Sequence, residues 1–246
     1  MYKLMSNSAY TQSITELFAK LYKPRSEVVP FNRSDLETIC QKYNVKNIGD
    51  VLYSFRSRQQ LPSSIRRTAK RGFHWVIEFK GKGKYQFSQW PVAYIKPQIL
   101  EPTLIKDCTP KMISQCLADD EQGMLTRMRH NNILRNFLDL DIYHLQSHLR
   151  TFVPGVGQVE IDDVYVGVDQ QSKQFIIPIQ AKSSHDLISA TQCSQDILYC
   201  EYFHPNYKCR SVAIKSIGNE TLAVFELKAK APGHICIVNE RHFQFI

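Results

Sequence analysis

The chain has 246 residues, 43% hydrophobic and 11% aromatic, which is enough for an ordinary core and too apolar for a disordered chain. Its net charge of +8 is unevenly spread: residues 1–100 hold 17 Lys and Arg against 6 Asp and Glu, or +11, and residues 101–246 hold 14 against 17, or −3. No apolar run approaches the roughly 18 residues that cross a bilayer, and no apolar leader core precedes Tyr10, so the expectation is a cytoplasmic protein with no membrane partner.

A basic half joined to a slightly acidic one points to a polyanion-binding module attached to something else. The seven cysteines contain no C-x-x-C pair, which argues against a disulfide framework or a zinc ribbon and for buried reduced thiols. His144 and His148 are spaced to share a helix face but lack a third metal ligand nearby.

In chain order, residues 11–22 set Ile14, Leu17, Phe18 and Leu21 at helical spacing. Ser34-Asp35-Leu36-Glu37 reads as a capping box opening a helix to about Tyr43. Asn47 can cap a third helix carrying Ile48, Val51, Leu52 and Phe55. Phe73–Phe79 and Tyr85–Trp90 read as strands around a Gly81-Lys82-Gly83 turn. Short helices followed by a hairpin outline a winged helix. Arg56, Arg58, Arg66, Arg67, Lys70 and Arg71 precede that hairpin, and Lys80, Lys82 and Lys84 decorate its tip. There they would neutralise the phosphates of double-stranded DNA and release counterions. Pro97, Pro102 and Pro110 mark a boundary, dividing the chain into a basic recognition domain, 1–105, and a second domain, 106–246.

In that second domain Asp119-Asp120-Glu121 suits a helix N-terminus, and Leu125, Met128, Ile133, Leu134, Phe137 and Leu138 continue an apolar face. A polar region with Pro154, Gly155 and Gly157 follows, and then two strands, Gln158–Val168 and Phe175–Lys182, joined by a loop at 169–174. Side chains alternate along a strand, so Glu160 and Asp162 share a face, as do Gln180 and Lys182. Paired as a hairpin, the strands would present two carboxylates, an amide and an ammonium together. Charges are costly to bury unless paired or metal-bound. One explanation is an ion pair of Glu160 or Asp162 with Lys182 at a strand end. The other is phosphodiester hydrolysis, in which carboxylate and carbonyl oxygens hold magnesium, the ion activates water, and a lysine stabilises developing negative charge.

Glu160-Ile161-Asp162, followed on the next strand by Gln180-Ala181-Lys182, resembles the PD-(D/E)XK nucleases. Their restriction-endonuclease-like core is an α/β (α+β) fold, a mixed sheet flanked by helices. The resemblance covers roughly residues 115–200 and implies a magnesium-dependent DNA endonuclease, with manganese able to substitute. Asp162 would be the metal-bridging carboxylate and Lys182 the catalytic lysine. Gln180 stands where an acid is usual, the Ala181 carbonyl is a further candidate ligand, and Glu160 could restore the missing charge. Glu121 could aim an acid from the first core helix, against its plainer role of favouring that helix's start. Asp163 competes with Asp162, which is preferred because it shares a face with Glu160. Gln195 and Tyr199 match a Gln-x-x-x-Tyr spacing of some nuclease branches.

No G-x-x-x-x-G-K-[ST] motif occurs, so no nucleotide-driven motor is expected. A type II restriction enzyme is the leading expectation, and a palindromic target would favour a homodimer. The alternatives are a repair or recombination nuclease of the same fold, a nuclease acting on RNA, and a non-catalytic DNA-binding protein whose Gln180 marks a decayed site.

Overall fold

Ser8 accepts the Thr11 backbone N–H at 3.2 Å, satisfying a first-turn donor, and so opens α1 (Ala9–Leu21), which buries Ile14, Leu17 and Phe18. The computed structural model describes residues 8–231 and 233–246. They divide into two units: residues up to Ala93 together with 154–157, and the remainder. No helix among the described residues is long and apolar enough to cross a membrane.

In the first unit β1 (Val28–Asn32) turns Val29 and Phe31 inward. α2 (Arg33–Lys42) follows directly. Its box is not the expected Ser34–Glu37 pair: Asp35 accepts the Asn32 backbone N–H at 2.7 Å, because β1 delivers the chain into the helix earlier. α3 (Ile48–Tyr53) is capped by Asn47, which accepts the Asp50 N–H at 3.1 Å, and runs into a π-helical turn, Ser54–Arg58. After α4 (Ser63–Arg66) come β2 (His74–Gly81) and β3 (Lys84–Trp90), the expected hairpin. Gly81 and Gly83 sit at φ +134° and +71°, conformations that strain residues with a side chain. β1 pairs antiparallel with β3, so the sheet order is β1-β3-β2. Its core gathers Leu17, Leu36, Val51, Leu52, Ile65 and Ile77 around Phe18, whose ring meets Trp75 and Phe87 edge-on at 5.2 and 5.0 Å. Each such aliphatic side chain stabilises the fold by roughly 1.5–3 kcal/mol relative to exposure.

The second unit runs β4 (Tyr94–Ile95), β5 (Thr103–Ile105), α5 (Lys111–Ser114), α6 (Glu121–His130), α7 (Ile133–Leu138) and β6 (Asp141–Val153). It continues with β7 (Gly157–Val168), β8 (Gln174–Lys182), β9 (Ile188–Ser189), α8 (Ala190–Phe203) and β10 (Lys208–Cys209). β11 (Ser211–Ser216), β12 (Thr221–Ala231) and β13 (His234–Phe245) complete it. The large sheet is mixed, in the order β5-β13-β12-β11-β8-β7-β6, with β10 beside β8. β7 and β8 are antiparallel, and β8 and β11, joined through α8, are parallel. α6 and α7 bury Leu125, Met128, Ile133, Leu134, Phe137 and Leu138 against Ile177, Ile179 and Ile214 on one face. α8 covers the opposite face, where Asp196 meets Gln180.

Three expectations need correction. Residues 94–105 belong to the second unit, since β4 pairs with β9 and β5 with β13; prolines end regular pairing locally but do not choose which sheet the flanking residues join. The polar stretch before Pro154 is a long strand, β6, so His144 and His148 lie on a strand and not on a helix. Of the seven thiols, all free, Cys40, Cys193 and Cys200 are buried whereas Cys108 and Cys116 are exposed.

Candidate active site

The register of β7 against β8 sets Asp163 opposite Ile179 and Tyr165 opposite Ile177. Those residues face α6 and α7. Strand alternation therefore turns Asp162 and Val164 to the other face with Pro178 and Gln180, under α8. Asp162 reaches across the strands: its Oδ2 accepts the Ala181 backbone N–H at 2.7 Å and lies 3.7 Å from Lys182 Nζ. Glu121 Oε1, at the start of α6, is also 3.7 Å from Lys182 Nζ. The helix cap itself is Asp120, which accepts the Gly123 N–H at 2.8 Å, so capping leaves Glu121 to the lysine. Two carboxylates, one from the middle of β7 and one from the start of α6, thus flank the ammonium at the end of β8.

The carboxylates are held above their usual range. For Asp162 the main cause is burial, and Glu160 adds repulsion, while Lys182, the Ala181 N–H and His148 pull the other way. For Glu121 burial again leads, opposed by Lys182 and reinforced by Asp162 and Asp186. Ionised, the cluster carries more negative charge than Lys182 offsets.

Gln180 is almost fully buried. Its Nε2 donates to the Glu160 carbonyl at 2.8 Å and to Asp196 Oδ1 at 3.2 Å. Both partners can only accept while Asp196 is ionised, so the amide is oriented and its oxygen turns the other way. The Glu160 side chain is drawn outward instead: its carboxylate accepts from Arg150 at 2.7 and 3.1 Å. Asp163, the rival to Asp162, is fully buried on the opposite face. It accepts from Arg129 at 2.6 Å and Ser147 at 2.6 Å, with His144 Nε2 3.3 Å away. That set of donors accounts for its charge, so Asp163 leaves the candidate ligands.

Asp196, on α8, has no role in the sequence reading. It is fully buried, and burial raises its carboxyl well above the usual range, with Asp162 adding repulsion while Gln180 and Lys182 pull down. Its Oδ2 and the Gln192 Oε1 are buried and accept no hydrogen bond from the described residues. No local pattern marks it out, since Thr191, Gln192, Ser194 and Gln195 are polar too and their burial shows only in the structure. Tyr199 is engaged elsewhere, its hydroxyl 3.1 Å from His204 Nε2.

Among the described residues, no three His, Cys, Asp or Glu side chains stand ready-made around a metal position. Magnesium asks for less: it keeps several waters and is commonly held by one or two carboxylates. Asp162, Glu121 and the Gln180 amide oxygen are hard oxygen donors of that kind, in a cluster with surplus negative charge and an unpartnered buried carboxylate oxygen, so the donor set fits the ion. An open groove of about 820 Å³ takes in Asp120, Gly123, Ser183 and His185, but none of Glu121, Asp162, Gln180 and Lys182 lines it.

The basic residues of the first unit form two groups. Arg66, Arg67, Lys70 and Arg71 are exposed ahead of β2, and Lys80, Lys82 and Lys84 are exposed at its far end. Lys80 pairs with Glu78 at 3.0 Å, Lys70 lies 3.8 Å from Glu27, and Arg58 stacks over Tyr53 at 4.6 Å. Arg56 departs from the expected DNA-facing set: its guanidinium is turned inward near Tyr85 and Glu78, and burial lowers its pKa. Compared with known families, characterised proteins and solved structures, the chain matches none.

Proposed function

We propose that the chain is a magnesium-dependent DNA endonuclease of the PD-(D/E)XK type, with a type II restriction enzyme as its leading form. The observation that carries the reading is that Asp162 of β7 meets the end of β8, hydrogen-bonded to Ala181 N–H and 3.7 Å from Lys182 Nζ, next to Gln180. The mixed sheet between helix layers resembles the restriction-endonuclease-like core. The first unit's order of helix, strand, helices and hairpin, with its sheet ordered β1-β3-β2, resembles a winged helix.

Asp162, Gln180 and Glu121 would hold the ion, with the Ala181 carbonyl beside them. When bound, it would polarise the phosphate and lower the pKa of a coordinated water. Lys182 stabilises negative charge growing on the phosphoryl oxygens. Asp162 and Glu121 hold that ammonium from two sides, fixing it before DNA arrives. The exposed cations of the first unit supply the electrostatic part of DNA affinity.

The test is plasmid cleavage with magnesium and with EDTA, followed by sequencing of fragment ends. Lys182→Ala and Asp162→Ala should each lower the cutting rate by roughly 100- to 1,000-fold with DNA binding retained. Discrete ends identify restriction and scattered ends a non-specific nuclease. Full cleavage by Lys182→Ala protein would leave the cluster an ordinary ion pair.

A further inference from the structure

We propose that the second unit carries an anion-binding surface of its own, a row of lysines at the end of β8 away from Lys182, and that this row takes the phosphate backbone of duplex DNA. The proposal goes beyond the cleavage reading and does not depend on it, since a chain without a metal site could carry the same row. β8 runs from Gln174 to Lys182, about 26 Å at ~3.3 Å per residue, so the row and the candidate site lie at opposite ends of one strand.

β10 pairs in parallel with the start of β8, so Lys208 stands beside Phe175 and faces the same side of the sheet. Phe175 belongs to the core under α6 and α7. Lys173 Nζ and Arg210 Cζ lie 5.9 and 5.7 Å from the centre of its ring. Arg210 also pairs with Glu226 of β12 at 2.7 and 2.9 Å, which sets Glu226 on that face, and strand alternation sets Lys228 there too. Arg210 donates to the carbonyl of Leu138, the last residue of α7, so the helix layer ends here. Lys173, Lys208 and Lys228 are all exposed at this margin.

Like charges side by side on a sheet are destabilising. Lys173, in contact with Lys208, and after it Lys228 hold the Lys208 ammonium below the usual lysine pKa. Glu226 is committed to Arg210, and Asp169 to the backbone N–H groups of Gln171 and Lys173 at 2.9 Å. None of the three lysines is paired with a carboxylate among the described residues. Lysines often blunt the open edge of a sheet, but β8 and β12 are interior strands, so that role does not account for the row. Strands ~4.8 Å apart set the three lysines across about 10 Å. Duplex DNA carries one charge per ~1.7 Å of its axis, so a stretch that long presents about six. The row offers no unpaired acid to answer a cation on a protein partner, which favours the unbroken negative charge of a phosphate backbone.

Acetylation of the full chain in EDTA, mapped lysine by lysine with rising amounts of a short duplex, tests this. Lys173, Lys208 and Lys228 should be protected together, and polyglutamate of equal total charge should protect them far less. The duplex concentration that half-protects Lys208 should rise with salt. The double variant Lys173→Gln with Lys228→Gln relieves repulsion and should melt no lower than the parent. Its log–log salt dependence at Lys208 should flatten by about 1.8, or about 0.9 for each lost contact. Saturating duplex that leaves the three lysines reactive overturns the proposal, whatever the variant does. So does an unchanged slope in the folded double variant. Protection by polyglutamate as strong as by DNA overturns it as well and assigns the row to an acidic protein. None of these outcomes bears on the cleavage test of Lys182 and Asp162, so the two readings fail separately.

Discussion

Asp162 and Asp163 are neighbours with opposite surroundings. One faces α8 beside Lys182, and the other is buried against Arg129, Ser147 and His144. Removing one partner of a buried ion pair leaves the other's charge uncompensated. Asp163→Asn should therefore cost about 3 kcal/mol in urea denaturation, with Mn²⁺ affinity unchanged. Lost metal affinity at parent stability would instead return Asp163 to the ligands. At this scale the strand residues were legible, because a period of two admits no slippage: Glu160 and Asp162, and likewise Gln180 and Lys182, had to share faces. What was not legible is who meets them. Arg150 draws Glu160 outward from β6, and Arg129 claims Asp163 from α6; both contacts depend on pairing and packing that no local pattern encodes.

Among the elements, the start of α6 carries unusual weight because it presents Glu121 to Lys182. Gly123 has no room for a side chain: a Cβ there would lie 1.9 Å from the Ala118 carbonyl oxygen. An Ala in place of Gly normally favours a helix by about 1 kcal/mol. Here the clash with backbone outweighs that gain, and Gly123→Ala should destabilise by about 1–3 kcal/mol. It should also slow cleavage more than it weakens DNA binding, since it shifts the Glu121 end of the helix. A melting curve and a single-turnover rate check both; a stabilised, fully active variant would mean that the 118–120 segment yields freely. Helix starts and hairpins could be read ahead of the structure, because Asn47, Asp120 and the Gly81–Gly83 turn are local chemistry. Two strands could not. β1 contains Pro30, which suits its place on an edge, and β6 is exposed at most positions, so it shows no alternation of apolar and polar residues.

Over the whole molecule the charge asymmetry pointed to a basic module joined to a second part, but not to how the basic residues are spread. Arg66, Arg67, Lys70 and Arg71 lie before β2 and Lys80, Lys82 and Lys84 beyond it, so eight strand residues, about 26 Å at ~3.3 Å each, separate them. If both groups touch phosphates, reversing Arg66 and Arg67 to Glu, and separately Lys82 and Lys84, should each flatten the salt dependence of DNA affinity. The log–log slope should fall by about 0.9 per lost contact, and groups this far apart should act additively. A slope moved by only one pair would assign the DNA to that end of the hairpin. The proline-marked boundary failed for a different reason: β5 takes its partner from β13, with Thr103 opposite Phe243 and Ile105 opposite Phe245.

That pairing also orders events in time. Ile105 accepts the Ile246 N–H, and Asp107 donates to the Ile246 carbonyl, so this edge of the sheet closes only after residues 243–246 have emerged, long after 103–105. Closing so long a loop costs entropy before any contact repays it. During synthesis the first unit can collapse on its own local helices and hairpin while residues 94–105 wait, extended and unprotected. In the growing chain, this first stretch of the second unit is therefore the part of that unit exposed longest to a protease or a chaperone.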